Sequence, residues 1–176
     1  MKQQVRVLGL FLLITWSFFG CASQKNLPKH QPPAAFSARL AVEADKRQFV
    51  CHCVLENPQN CTITFEAPKA IEGLCIQQTP AECVLRFKGL QVTTPSTYLA
   101  QTAFLKRWFS VCAALQDSNA YTVESGEKQD YYIGKTADGT AFTCTWNRET
   151  NALSHVSIPH EALQIEVTEF QRLPTT

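Results

Sequence analysis

From residue 36 onward, apolar and polar positions alternate with a period of two, the pattern of strands that bury one face. Phe36, Ala38, Leu40 and Val42 share one side, with Ser37, Arg39, Ala41 and Glu43 on the other. A polar turn at residues 44–47 leads into a second strand over 48–56, whose inward row is Phe49, Cys51, Cys53 and Leu55. Asn57-Pro58-Gln59-Asn60 is a strong turn signal, after which Cys61, Ile63 and Phe65 alternate with Thr62, Thr64 and Glu66. Pro68 breaks that run, and strands are predicted over 71–78, 83–88 and 90–94, with turns at residues 79–82 and at Gly89. Five more are predicted over 121–125, 130–135, 140–147, 153–158 and 163–170. Asp138-Gly139 reads as a hairpin turn, and residues 148–151 as a four-residue one. Phe142, Cys144 and Trp146 line one inward face; Leu163, Ile165 and Val167 line another. Short connections favour an antiparallel meander of about ten or eleven strands, because parallel crossovers need a dozen or more residues.

Residues 97–116 break the alternation. They hold neither Gly nor Pro, Ser96 stands where an N-cap belongs, and Asp117-Ser118-Asn119 stops the run. Tyr98, Leu99, Phe104, Leu105, Trp108, Phe109, Val111, Cys112 and Leu115 cover most of the circumference, leaving Thr102, Lys106, Arg107 and Ser110 as a narrow polar stripe. An ordinary surface helix shows a single apolar face. A helix this apolar must be enclosed on several sides, so the sheet is expected to curve around it. The fold class expected is α+β: a curved antiparallel half-barrel with one long helix on its concave face.

The chain has 176 residues, 45% hydrophobic and 18% charged, with a formal charge of +1. That supports one domain with a sizeable core, and gives no electrostatic case for nucleic acid. The N-terminus is a separate matter. Lys2 and Arg6 form a basic start, and residues 7–19 are dominated by apolar side chains. Thirteen such residues suit a signal peptide and fall short of the ~20 that span a bilayer. The run ends in Phe18-Phe19-Gly20-Cys21, which looks like a bacterial lipobox, with a small residue before the scissile bond and a sulfur just after it. Residues 1–20 are read as a lipoprotein signal peptide, and Cys21 as the carrier of a diacylglyceryl anchor of palmitate-type chains. Without residues 1–20 the chain has 14 basic and 15 acidic residues, a net of −1, which argues against a polybasic membrane patch. Residues 21–35 include Pro28, Pro32 and Pro33 without hydrophobic periodicity, and read as a flexible tether to a domain over 36–171. The address expected is the extracytoplasmic face of a cell membrane, by a lipid anchor.

With these segments placed, the chain resembles the LolA-like superfamily of envelope proteins, which includes lipoprotein carriers, RseB-type sensors and LprG-type lipoproteins. The resemblance rests on Phe36-Ser-Ala-Arg-Leu40, Phe65-Glu-Ala-Pro68, Ile71-Glu-Gly73-Leu74, Phe87-Lys-Gly89-Leu90, the mid-chain helix and the closing 163–170 strand. It implies an unclosed half-barrel with its helix on the concave side, and members that handle acyl chains or lipoproteins. The function expected is that of a non-enzymatic, membrane-anchored lipoprotein binding an apolar ligand, a lipid or acyl chain, or another lipoprotein. The alternative is an envelope sensor or scaffold with a filled core that binds a protein partner. Candidate ligand-facing residues on the concave face are Leu40, Phe65, Leu105, Trp108, Phe109, Phe142 and Trp146.

Cys51-His52-Cys53 resembles a metal motif, but along a strand the two sulfurs point one way and the imidazole the other. A site could recruit Cys61 from the next strand, giving three sulfurs. The simpler reading makes these cysteines small hydrophobes of the inward row. Beyond Cys21 there are seven cysteines, at 51, 53, 61, 75, 83, 112 and 144. Their positions suit core residues, so mainly reduced thiols are expected, with one or two disulfides as the alternative. His30, His155 and His160 have no partner signature, and no phosphate loop, nucleophile elbow or zinc-protease helix occurs. No catalytic residue, metal or cofactor is assigned.

Overall fold

The computed structural model describes residues 32–96 and 103–174. Among them, eleven strands form one antiparallel sheet: β1 (Phe36–Ala44), β2 (Arg47–Asn57), β3 (Asn60–Ala67), β4 (Cys75–Gln78), β5 (Glu82–Phe87), β6 (Leu90–Pro95), β7 (Tyr121–Ser125), β8 (Gln129–Lys135), β9 (Ala141–Asn147), β10 (Ala152–Ile158) and β11 (Leu163–Arg172). Their spatial order is β6-β5-β4-β3-β2-β1-β11-β10-β9-β8-β7. Every neighbouring pair is consecutive in sequence except β1 with β11. The sheet is open, and the chain passes from one edge, β6, to the other, β7, through the helix α1 (Ala103–Ala114).

Turn chemistry sets the registers. The Asn57 side-chain oxygen accepts from the amides of Gln59 and Asn60, both at 2.9 Å, and so closes the β2–β3 hairpin. Asn147 does the same for Glu149 and Thr150 between β9 and β10. The alternation read from sequence holds: Ala38, Leu40, Val42, Cys51, Cys53, Leu55, Ile63 and Phe65 are all buried. Two bulges then change which residues face the core. In β11, Glu169 takes a positive φ of 51° where the register with β1 shifts, and Phe170 turns inward out of step with Val167. In β10 the register shifts between Leu153 and His155, so Leu153 and Val156 are both buried.

The fourth strand departs from expectation. Residues 71–78 are expected to be extended, yet Lys69–Ile71 is a 3-10 turn and β4 begins only at Cys75. The Phe65 amide donates to the Leu74 carbonyl (2.9 Å) and Gly73 donates back to Phe65 (2.8 Å), which holds the intervening loop out of the ladder. The helix is described over twelve of the twenty residues expected, and Tyr98, Leu99 and Thr102 lie outside the described residues. Its last turn tightens, with Gln116 donating to Ala113 and Asp117 to Ala114, both at 3.1 Å. Ser96 donates its hydroxyl to the Pro80 carbonyl at 2.9 Å. Packing starts before Phe36: Pro32 and Ala35 are buried, and the Ala35 carbonyl accepts from the amide of Leu173. No helix among the described residues is long and apolar enough to cross a membrane.

Candidate functional site

The helix meets the sheet along one apolar face. Phe104, Trp108, Val111, Cys112 and Leu115 recur at three- and four-residue steps and are buried, as is Leu105 beside them. Phe104 stacks on Phe49 of β2 (centroids 5.6 Å apart, planes at 16°) and meets Phe65 of β3 edge-on at 6.0 Å. Trp108 meets Phe36 of β1 edge-on at 6.1 Å. From there ring contacts continue across the sheet: Phe36 to Phe170 at 5.0 Å, Phe170 to Trp146 at 5.6 Å, and Trp146 to Tyr132 at 6.4 Å. Offset and edge-to-face pairs of this kind contribute about 0.5–1.5 kcal/mol each beyond the area they bury.

Of the residues expected to face a ligand, Leu40, Phe65, Leu105, Trp108, Phe142 and Trp146 belong to this single buried cluster. Phe109 is different. It is half-buried and packs at the margin of the cluster. Cys21 lies outside the described residues. Phe36, Phe49, Phe104 and Phe170 were not expected at the site, although the alternation already places the first two inward.

The two buried indoles are not equivalent. Trp146 donates its ring N–H to the Asn151 side-chain oxygen at 3.2 Å, whereas the buried Trp108 N–H has no acceptor among the described residues. A buried donor left unmatched costs about 1–3 kcal/mol. Close by, Phe36, Cys112, Leu115, Trp146, Leu153 and Phe170 line a gap of about 10 Å³, room for at most one water. Among the described residues, this part of the interface is therefore filled. A larger hollow of about 520 Å³ lies elsewhere, and Glu43, Gln48, Gln164 and Glu166 on its wall make it a poor seat for an acyl chain.

One polar hub ties the helix down. Arg107 reaches Glu161, in the 3-10 turn after β10, with its Nε 2.7 Å from a carboxylate oxygen, and it also pairs with Asp138 in the β8–β9 turn. Asp138 accepts in addition from the Thr136 hydroxyl. Those hydrogen bonds, from Thr136 first and then Arg107, hold the Asp138 carboxyl well below the usual carboxylate range. A lowered folded-state pKa stabilises above the unfolded value and is lost as pH falls through the folded one. Asp138→Asn should therefore be less stable than the parent at neutral pH, and the gap should shrink below about pH 4. Because Asp138 is 42% exposed, the gap should be under about 1 kcal/mol. Urea melts at neutral and acid pH check this; a gap that does not change with pH would refute it.

The seven cysteines of the described region are all free thiols, six of them buried. Burial, then the neighbouring Cys53, pushes the Cys51 thiol up to about 12, and burial likewise raises Cys83 to about 11. Cys112 and Cys144 are also raised by burial. Protonated at neutral pH, such thiols behave as apolar core rather than as nucleophiles. His52 sits between two inward-facing thiols in sequence and pairs in register with Arg39 and Thr64. Among the described residues no group of three or more His, Cys, Asp or Glu side chains is placed to hold a metal ion. His155 lies opposite Glu166 in the ladder, His160 is exposed in the turn after β10, and His30 is outside the described residues.

No protein-family model matches the chain, and no curated protein does. Among solved structures, an uncharacterized conserved protein from Thermus thermophilus is similar over 83% of each chain, with a TM-score of 0.52 and 12% identity. A putative outer membrane lipoprotein-sorting protein domain from Vibrio parahaemolyticus aligns over 84% of this chain and 88% of that one (TM-score 0.45, 8% identity). A LolA superfamily protein from Nitrosomonas europaea aligns over 87% and 91% (TM-score 0.36, 10% identity). The likeness to the Thermus protein is one of fold.

Proposed function

We propose that this chain has a LolA-like fold and is a non-enzymatic envelope lipoprotein. Its anchor is a lipid on Cys21. Its sheet curls about α1, which lies on the concave side, and the helix–sheet interface receives an acyl chain, free or carried by another lipoprotein. Curling is supported by the route of the chain, since the link between the two sheet edges runs through a helix seated on β1, β2 and β3. The observation that carries the ligand is the Trp108 N–H, a donor in the middle of an apolar interface with no acceptor among the described residues. Fatty acids and lipid esters combine an apolar chain with a carbonyl that such a donor satisfies. Each methylene buried contributes ~0.8 kcal/mol, so chain length would be read loosely. The gap of about 10 Å³ between Trp146 and the helix is too small for an acyl chain, so entry at that point requires α1 to move aside.

The same small gap favours the second reading, a sensor or scaffold whose core stays filled. Native mass spectrometry with organic extraction of the full chain purified from cells in detergent separates the two. The carrier reading expects co-purifying lipid, held several-fold more weakly in Trp108→Phe, the effect of losing a hydrogen bond of about 1 kcal/mol. A clean protein mass in every preparation would refute the carrier and leave the scaffold. Anchorage has its own measurement: a fatty-acid probe should label the parent and not Cys21→Ala, and equal labelling of both would refute it.

A further inference from the structure

The Cys53 and Cys61 sulfurs are in contact across the β2–β3 hairpin, 3.6 Å apart. The register explains why. Cys61 lies opposite Leu55, and Cys53 opposite Ile63, so the two cysteines are diagonal neighbours on one face of adjacent antiparallel strands. Both are buried, Cys53 completely and Cys61 to all but 4%. Cys61 differs in one respect. It lines a hollow of about 230 Å³ together with Pro58, Gln59, Gln78, Pro80 and Phe109, which gives a small reagent a way in from the surface. Cys51, on the same face, lies opposite Phe65, one further step along the strand from Cys53.

We infer that Cys53 and Cys61 are a redox pair that closes to a disulfide when a small-molecule disulfide reaches Cys61 through this hollow. The Cys61 thiolate attacks one sulfur of the oxidant, breaking its S–S bond and releasing one thiol, which takes the proton. The Cys53 sulfur, losing its own proton, then attacks Cys61 Sγ and expels the second thiol. Two protein thiols are oxidised and one disulfide is reduced to two thiols. No charge is left in the apolar interface, so the oxidised pair is compatible with its surroundings. The bond joins the strands that carry Phe49 and Phe65, the seat of Phe104, and so stiffens the wall on which the helix rests. Contact with Cys53 and burial both keep the Cys61 thiol protonated at neutral pH, so the reaction should quicken as pH rises.

The test is incubation of the full chain with glutathione disulfide, alkylation of the remaining thiols under denaturing conditions, and cleavage after Lys/Arg and Glu. Cleavage at Glu56 separates the two sulfurs, leaving Cys51 and Cys53 in one fragment and Cys61 in the other. The expected product joins these fragments with the loss of two hydrogens. It should persist in Cys51→Ala and in Cys112→Ala, disappear in Cys53→Ala, and revert with dithiothreitol. Full alkylation of both fragments after oxidation would overturn the inference. So would a link that needs Cys51 or Cys112.

Discussion

Trp108→Asp should leave the chain unfolded. The indole is completely buried, edge-on to Phe36, and its loss opens a cavity that costs about 3–5 kcal/mol for a truncated aromatic. The aspartate adds a carboxylate to an apolar interface, a further penalty of several kcal/mol unless it protonates. Together these match the roughly 5–15 kcal/mol that holds an ordinary domain together. Lys106, exposed on the same helix, is the control: Lys106→Ala should cost under about 0.5 kcal/mol. Far-UV circular dichroism and urea melts of the two variants decide the matter. A Trp108→Asp chain that melts like its parent would mean that the helix is not enclosed, and the lipid-binding reading would fall with it.

Gly134→Ala should also be clearly destabilising, though it adds a single methyl. Gly134 lies in β8 between Tyr121 of β7 and Phe142 of β9. A Cβ there would stand 2.5 Å from the Ala120 carbonyl oxygen, 2.8 Å from the Phe142 ring and 2.8 Å from Tyr121 Cβ. The nearest of these is backbone and cannot rotate away. Relief requires β7 to shift from β8, where the Lys135 amide also donates to Ala120 at 3.0 Å. A loss of about 2–4 kcal/mol is expected, the upper range for overpacking. Thermal melts of the full chain measure it, and a variant within about 0.5 kcal/mol of the parent would show that the β7 edge yields freely.

Most of the sheet was legible because side chains alternate strictly wherever one face is buried. Phe36 to Val42, Phe49 to Leu55 and Cys61 to Phe65 declare their inward rows without knowledge of any partner strand. Bulges were not legible. Glu169 carries no signal that distinguishes it from other exposed strand residues, yet its backbone turns Phe170 into the core. The loop before β4 was missed because residues 71–78 are apolar enough for a strand, while the hydrogen bonds that hold the loop are between backbone groups. At the site, apolar positions on the helix could be read from spacing alone. The role of Arg107 could not: its partners Asp138 and Glu161 lie 31 and 54 residues away. Sequence likewise marks Trp108 as buried but says nothing of whether its N–H finds an acceptor.

The pairing of the first strand with the last has a mechanical consequence. β1 lies at the middle of the sheet, hydrogen-bonded along its length to β2 on one side and β11 on the other. A load applied through Ala35 and directed along the strand meets both ladders in shear, so many hydrogen bonds must fail together instead of one after another. Had the N-terminal segment led into an edge strand such as β6 or β7, a transverse load could have peeled a single ladder open from its end. A domain pulled from the N-terminal side would thus yield last at the strand that takes the strain, and the outer hairpins would carry almost none of it.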